Sequence, residues 1–146
     1  MLWVLTLSFA FASQAPDISV LQDIQRSHIE ANVPPPAEFN RILQRDLDRY
    51  VTKARGETAR AEYEILRDGP TQSGVAYLKF YVWVRVYEGR SVVDQGAVRL
   101  AAIDRREFQV SDFIPERAIR TDPKVIYRVF PAPVCEKITI ILGLGK

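Results

Sequence analysis

The sequence predicts an α+β fold: an N-terminal amphipathic helix packed on a four-stranded antiparallel meander sheet, with short C-terminal helices. Three observations carry this. Residues 37–55 repeat apolar side chains at helical spacing. Residues 59–113 hold four stretches of strand character separated by short turns. Beyond Pro115, prolines divide the chain into short segments of helical character. Strands joined in chain order by tight turns pair antiparallel, and helices then pack on one face.

The chain has 146 residues, enough for one domain with its own core. Hydrophobic residues make up 47% and charged residues 26%, which excludes a disordered or collagen-like chain. Twenty Lys and Arg face 18 Asp and Glu, a net charge of +2. So small an excess creates no strong field, and no nucleic-acid partner is expected. The single cysteine, Cys135, has no partner for an internal disulfide and reads as a small buried hydrophobe.

Residues 2–12 are uncharged and apolar, too short to span a bilayer as a helix. They fit the apolar region of a signal peptide, and Ala10-Phe11-Ala12 supplies the small-x-small pattern for cleavage after Ala12. The pattern lacks a basic residue ahead of the run; the first is Arg26. The expectation is a signal peptide over 1–12, export to the periplasm or outside the cell, and no stable membrane insertion after processing. Residues 13–36 then form a helix and a proline-rich spacer, and 37–146 a single α+β domain.

In the first helix, Ile18, Leu21 and Ile24 recur at helical spacing, with Asp17 as N-cap. Pro34-Pro35-Pro36 follows as a stiff spacer, its last residue suited to open the next helix. In 37–55, Phe39, Ile42, Leu43, Leu47, Tyr50, Val51 and Ala54 form one stripe, and Gly56 is a natural cap. Residues 59–65 alternate apolar and charged side chains, as a half-buried strand does. Residues 75–87 form a long strand rich in β-branched and aromatic residues. Glu88-Gly89-Arg90 turns it into a partner over 91–104, where Gly96 marks a bulge or bend, and 107–113 is the fourth strand. Residues 116–120 make one helical turn, and Asp122-Pro123 opens a short helix that Pro131 and Pro133 end. Residues 134–142 carry both helical and strand signals and are assigned as helix.

A long helix ahead of a meander resembles the cystatin-like roll, an architecture shared by unrelated functions. The cystatin inhibitor pattern Gln-x-Val-x-Gly is absent; Val93-Asp94-Gln95-Gly96 does not match it.

The strongest candidate for function is one face of the long strand. Tyr77, Lys79, Tyr81, Trp83, Arg85 and Tyr87 alternate on it, joining aromatic rings to cations. Rings and cations of this kind bind sugars, carboxylates or protein hot spots. The competing reading is cross-strand pairing beneath the later helices.

Catalytic equipment is thin. His28 is the only histidine, so a multi-histidine metal site within one chain is excluded. Neither His28 nor Cys135 sits in a local nucleophile signature. Glu62 and Glu64 read as a solvated strand face. Asp94 shares a strand with the small residues Gly96 and Ala97, which leave room for a cavity beside it. Gly143-x-Gly145 precedes no helix that would hold a phosphate, and no cofactor is expected. The expected function is an exported, non-enzymatic binding or accessory domain using the aromatic face or the sheet edge, with a protein or small-molecule partner. The alternatives are a pocket protein, enzyme or carrier, with an apolar cavity between helix 37–55 and a curved sheet, and a structural homodimer.

Overall fold

A computed structural model describes residues 18–72 and 76–145. The predicted signal peptide and its cleavage point lie outside the described residues. Two helices open the fold, α1 (Ile18–Asn32) and α2 (Pro36–Arg55). Four strands follow: β1 (Ala59–Ile65), β2 (Lys79–Glu88), β3 (Ser91–Ile103) and β4 (Glu107–Pro115). Helix α3 (Glu116–Thr121), a 3₁₀ helix (Pro123–Arg128) and α4 (Ala132–Leu142) close it. The sheet is an antiparallel meander in the order β1-β2-β3-β4. Among the described residues, no helix is long and apolar enough to cross a membrane.

Pro36 opens α2, where its missing N–H costs nothing and its φ is already helical. Gly56 closes the helix at φ 113°, donating its N–H to the Thr52 carbonyl. The stripe Ile42, Leu43, Leu47 and Val51 is buried against Phe80, Val82, Val84, Val98 and Leu100 of the sheet. Phe39, Phe80 and Phe108 meet edge-on at the far end, with centroids 5.1–5.5 Å apart.

The C-terminal helices take the opposite face, so both faces are covered and not one alone. Ile119, Ile126, Phe130, Val134, Cys135 and Ile138 pack there on Tyr81, Trp83, Ala97 and Ile114. Asp122 caps the 3₁₀ helix by accepting from the Lys124 N–H. Pro133 does not stop a helix; it lies in the first turn of α4, which begins at Ala132.

Polar side chains of α2 reach over both edges of the sheet. At β1, Asp48 accepts the Ala61 N–H (2.8 Å) and Gln44 donates to the Ala61 carbonyl (2.8 Å). Lys137 of α4 donates to the Ile65 carbonyl (3.1 Å). At β4, buried Asp46 accepts the Phe108 N–H (2.7 Å). Backbone groups occupied in this way offer a poor template for an added strand.

Asp46 holds more than an edge. Its carboxylate also takes the Arg45 guanidinium at 2.8 and 3.1 Å, and Arg45 donates onward to the Arg106 carbonyl at 2.7 Å. Asp46→Ala is expected to cost about 2–3 kcal/mol in urea unfolding, because a buried N–H loses its charged acceptor. Asp46→Asn retains an acceptor for Phe108 and is expected to cost less.

The β3–β4 turn places Asp104 and Arg105 in the left-handed region, at φ 50° and 63°. Neither is glycine, and such a conformation costs about 1–2 kcal/mol per residue. The turn is held from outside. Arg105 donates its backbone N–H to the Asn32 carbonyl and its guanidinium to the Glu30 carbonyl, both at 2.9 Å. These are end carbonyls of α1, so the strained turn caps and anchors that helix.

Candidate functional site

The β2 face is divided by the fold. Trp83 is 1% exposed and Tyr81 5%, both in the second core. Trp83 donates its indole N–H to Gln95 Oε1 (3.3 Å), and Gln95 donates in turn to Glu116. Tyr81 stacks edge-on with Phe130, centroids 5.9 Å apart, and its hydroxyl shares a hydrogen bond with Thr71 (2.6 Å). Lys79 is half-buried. The exposed members lie at opposite ends, with Tyr77 before β2 and Arg85 near its close. Eight residues of extended chain separate them by about 26 Å. The C-terminal helices thus cover the centre of the face, and no continuous aromatic surface remains open.

At its far end the face keeps a small polar cluster. Arg60 lies over the Tyr87 ring, 4.5 Å from its centroid, and donates to Glu62 at 3.0 Å. Arg60, and after it the Tyr87 hydroxyl, hold the Glu62 carboxyl below its usual range. Glu62 and Glu64 are exposed, as their alternation predicts.

The described residues hold no cluster of three or more His, Cys, Asp or Glu suited to a metal. Cys135 is buried, and burial raises its pKa, which disfavours the nucleophilic thiolate. Its thiol faces the Phe130 carbonyl at 3.4 Å.

Helix α1 is the surface that periodicity did not single out. Ile18, Leu21 and Ile24 share one face at helical spacing, yet they are 72%, 46% and 59% exposed. Val20 and Ile29 are exposed as well. The triple-proline spacer carries the helix off the sheet, and Arg105 fixes its C-terminal end. At its base an open groove of about 490 Å³ lies between Ile29, Val33, Pro35, Phe39, Asn40 and Arg105. The signal was present in the sequence, since a stiff spacer after an amphipathic helix separates that helix from the core.

Asp94 also occupies a defined place. Its side chain is 12% exposed, accepts the Gln95 N–H (2.9 Å), and lies 3.2 Å from Arg55 and 3.6 Å from Arg117. Beside it, a cavity of about 70 Å³ lies between α2 and the sheet, lined by Leu47, Val51, Val84, Val86, Val98 and Phe113 among others. Tyr50 borders the same space, and burial raises its hydroxyl pKa.

No protein-family model, no curated protein and no solved structure matches this chain.

Proposed function

We propose that the chain is an exported, non-enzymatic binding or accessory domain, and that its contact surface is the apolar face of α1 with the groove at its base. The observation that carries this reading is the exposed row Ile18, Leu21 and Ile24 on a helix whose C-terminal end Arg105 holds. Contiguous apolar surface left open to water is where partners dock. The partner is a protein that offers an apolar helix or strip. The polar side of α1 mixes Asp23, Arg26 and Glu30, without the basic run that an anionic membrane surface attracts.

The test is partner binding by Leu21→Glu/Ile24→Glu. Both positions are exposed, so the melting curve is expected to stay unchanged. Burying one such side chain contributes about 1.5–3 kcal/mol, so affinity is expected to fall about 100-fold or more. Full affinity in the folded double variant contradicts the proposal. Sedimentation of the purified chain identifies the partner's kind. A monomer at micromolar concentration indicates a foreign protein. A dimer lost in the double variant indicates a second copy, the homodimer alternative.

A further inference from the structure

We propose that the chamber beneath the C-terminal end of α2 binds a short-chain aliphatic carboxylate, its tail inside and its head on Arg55. The chamber lies between α2 and the sheet, close to two irregularities of strand register. The β2–β3 register shifts between Val86 and Tyr87, and the β3–β4 register between Arg99 and Leu100. Such shifts increase local twist and bend a strand. The space left holds about 70 Å³. A water needs roughly 10–15 Å³ on this measure, so the chamber holds about five water-sized groups. That matches a chain of four to six carbons and is far below a drug-sized pocket. Its wall is formed by aliphatic and aromatic side chains of α2, β2, β3 and β4, which favour an apolar occupant.

Charge stands only at the rim, in Arg55 and Asp94, and the two are held differently. Asp94 is nearly buried and keeps the Gln95 N–H and Arg117 as partners without Arg55. Arg55 is one-third exposed, 3.2 Å from Asp94 and 3.8 Å from Glu88. Arg55 donates to Asp94 through Nη2, and among the described residues its Nε has no hydrogen-bond partner. Arg55 keeps Nη2 on Asp94 and offers its Nε edge to a ligand carboxylate.

Titration of butyrate, pentanoate and hexanoate into the full chain, followed by NMR shifts around Tyr50 and Val98, tests the assignment. Saturable binding in the millimolar range is expected, with acetate weaker. Arg55→Gln is expected to weaken it about tenfold or more. Ala54→Leu, on the rim, is expected to fill the chamber and abolish binding while Arg55 remains. The circular-dichroism spectrum confirms that each variant is folded. Absence of saturation with all three acids overturns the proposal, as does unchanged affinity in folded Arg55→Gln or tighter binding of butylamine than of butyrate. Leu21→Glu/Ile24→Glu is expected to bind butyrate normally, so failure here is distinct from failure of the α1 reading.

Discussion

Trp83→Ala is expected to destabilise the protein by about 3–5 kcal/mol, the range for truncating a large buried aromatic. The side chain is 1% exposed and lies in the layer between sheet and C-terminal helices, among Ala97, Ile119 and Ile138. Removal opens a cavity in that layer. It also leaves the Gln95 carbonyl oxygen without its indole donor, in a network that continues through Glu116 to Arg120 (2.7 Å). A domain of this size has about 5–15 kcal/mol in total, so the variant approaches its unfolding limit. Trp83→Phe keeps most of the volume and is expected to lose less. Urea unfolding measures both. A loss below about 1 kcal/mol for Trp83→Ala would mean that the second core is not packed as described. The same residue is the most attractive contact on the sequence-derived face, so lost binding in this variant would report unfolding and not a missing contact.

Gly96→Ala is expected to cost about 3 kcal/mol or more, through overpacking against backbone. A Cβ at this position would stand 2.3 Å from the Ile114 carbonyl oxygen and 2.8 Å from the Pro115 Cα. Neither atom belongs to a side chain that swings away. Both lie at the end of β4, where the chain leaves for α3, and Gly96 pairs directly with Pro115. Relief therefore requires parting β3 from β4. Gly89→Ala is the control. Gly89 turns β2 into β3 at φ 62° with open space around it, so only the left-handed backbone opposes a side chain. Its expected cost is about 1 kcal/mol. Equal costs at the two positions in chemical denaturation would refute the close approach at Gly96.

The contrast between these sites shows what was legible in the sequence. The stripe of α2 and the alternation of β1 and β2 name a face for each residue, because 3.6- and 2-residue periods depend on the local chain alone. The turn at Gly89–Arg90 was legible for the same reason. Periodicity does not say what covers a face. Tyr81 and Trp83 lie beneath Phe130 and Ile138, some 50 residues later in the chain. Helix α1 has a stripe much like that of α2, but only α2 meets the sheet across it. Asp46 was the least legible residue. It reads as one more polar residue of an amphipathic helix, and its burial and its bond to Phe108 arise only when β4 arrives alongside.

The Gly96 contact also bears on the candidate sites. Gly96 lies between Asp94 and Val98, which border the chamber, and next to Gln95, which joins Trp83 to Glu116. The small residue expected to leave room for a cavity sits where the β4 backbone comes closest. The space beside Asp94 lies beneath Tyr50 and Val51 of α2, and Gly96 and Ala97 do not line it.

A photocrosslinking side chain at position 24 of the full chain, expressed in its own host, tests α1 as the contact surface, with the same side chain at exposed position 64 as control. One discrete adduct is expected from position 24, absent when Leu21→Glu is added, and none from position 64. No adduct from position 24, or the same adduct from both positions, would contradict the assignment of α1 as the contact surface.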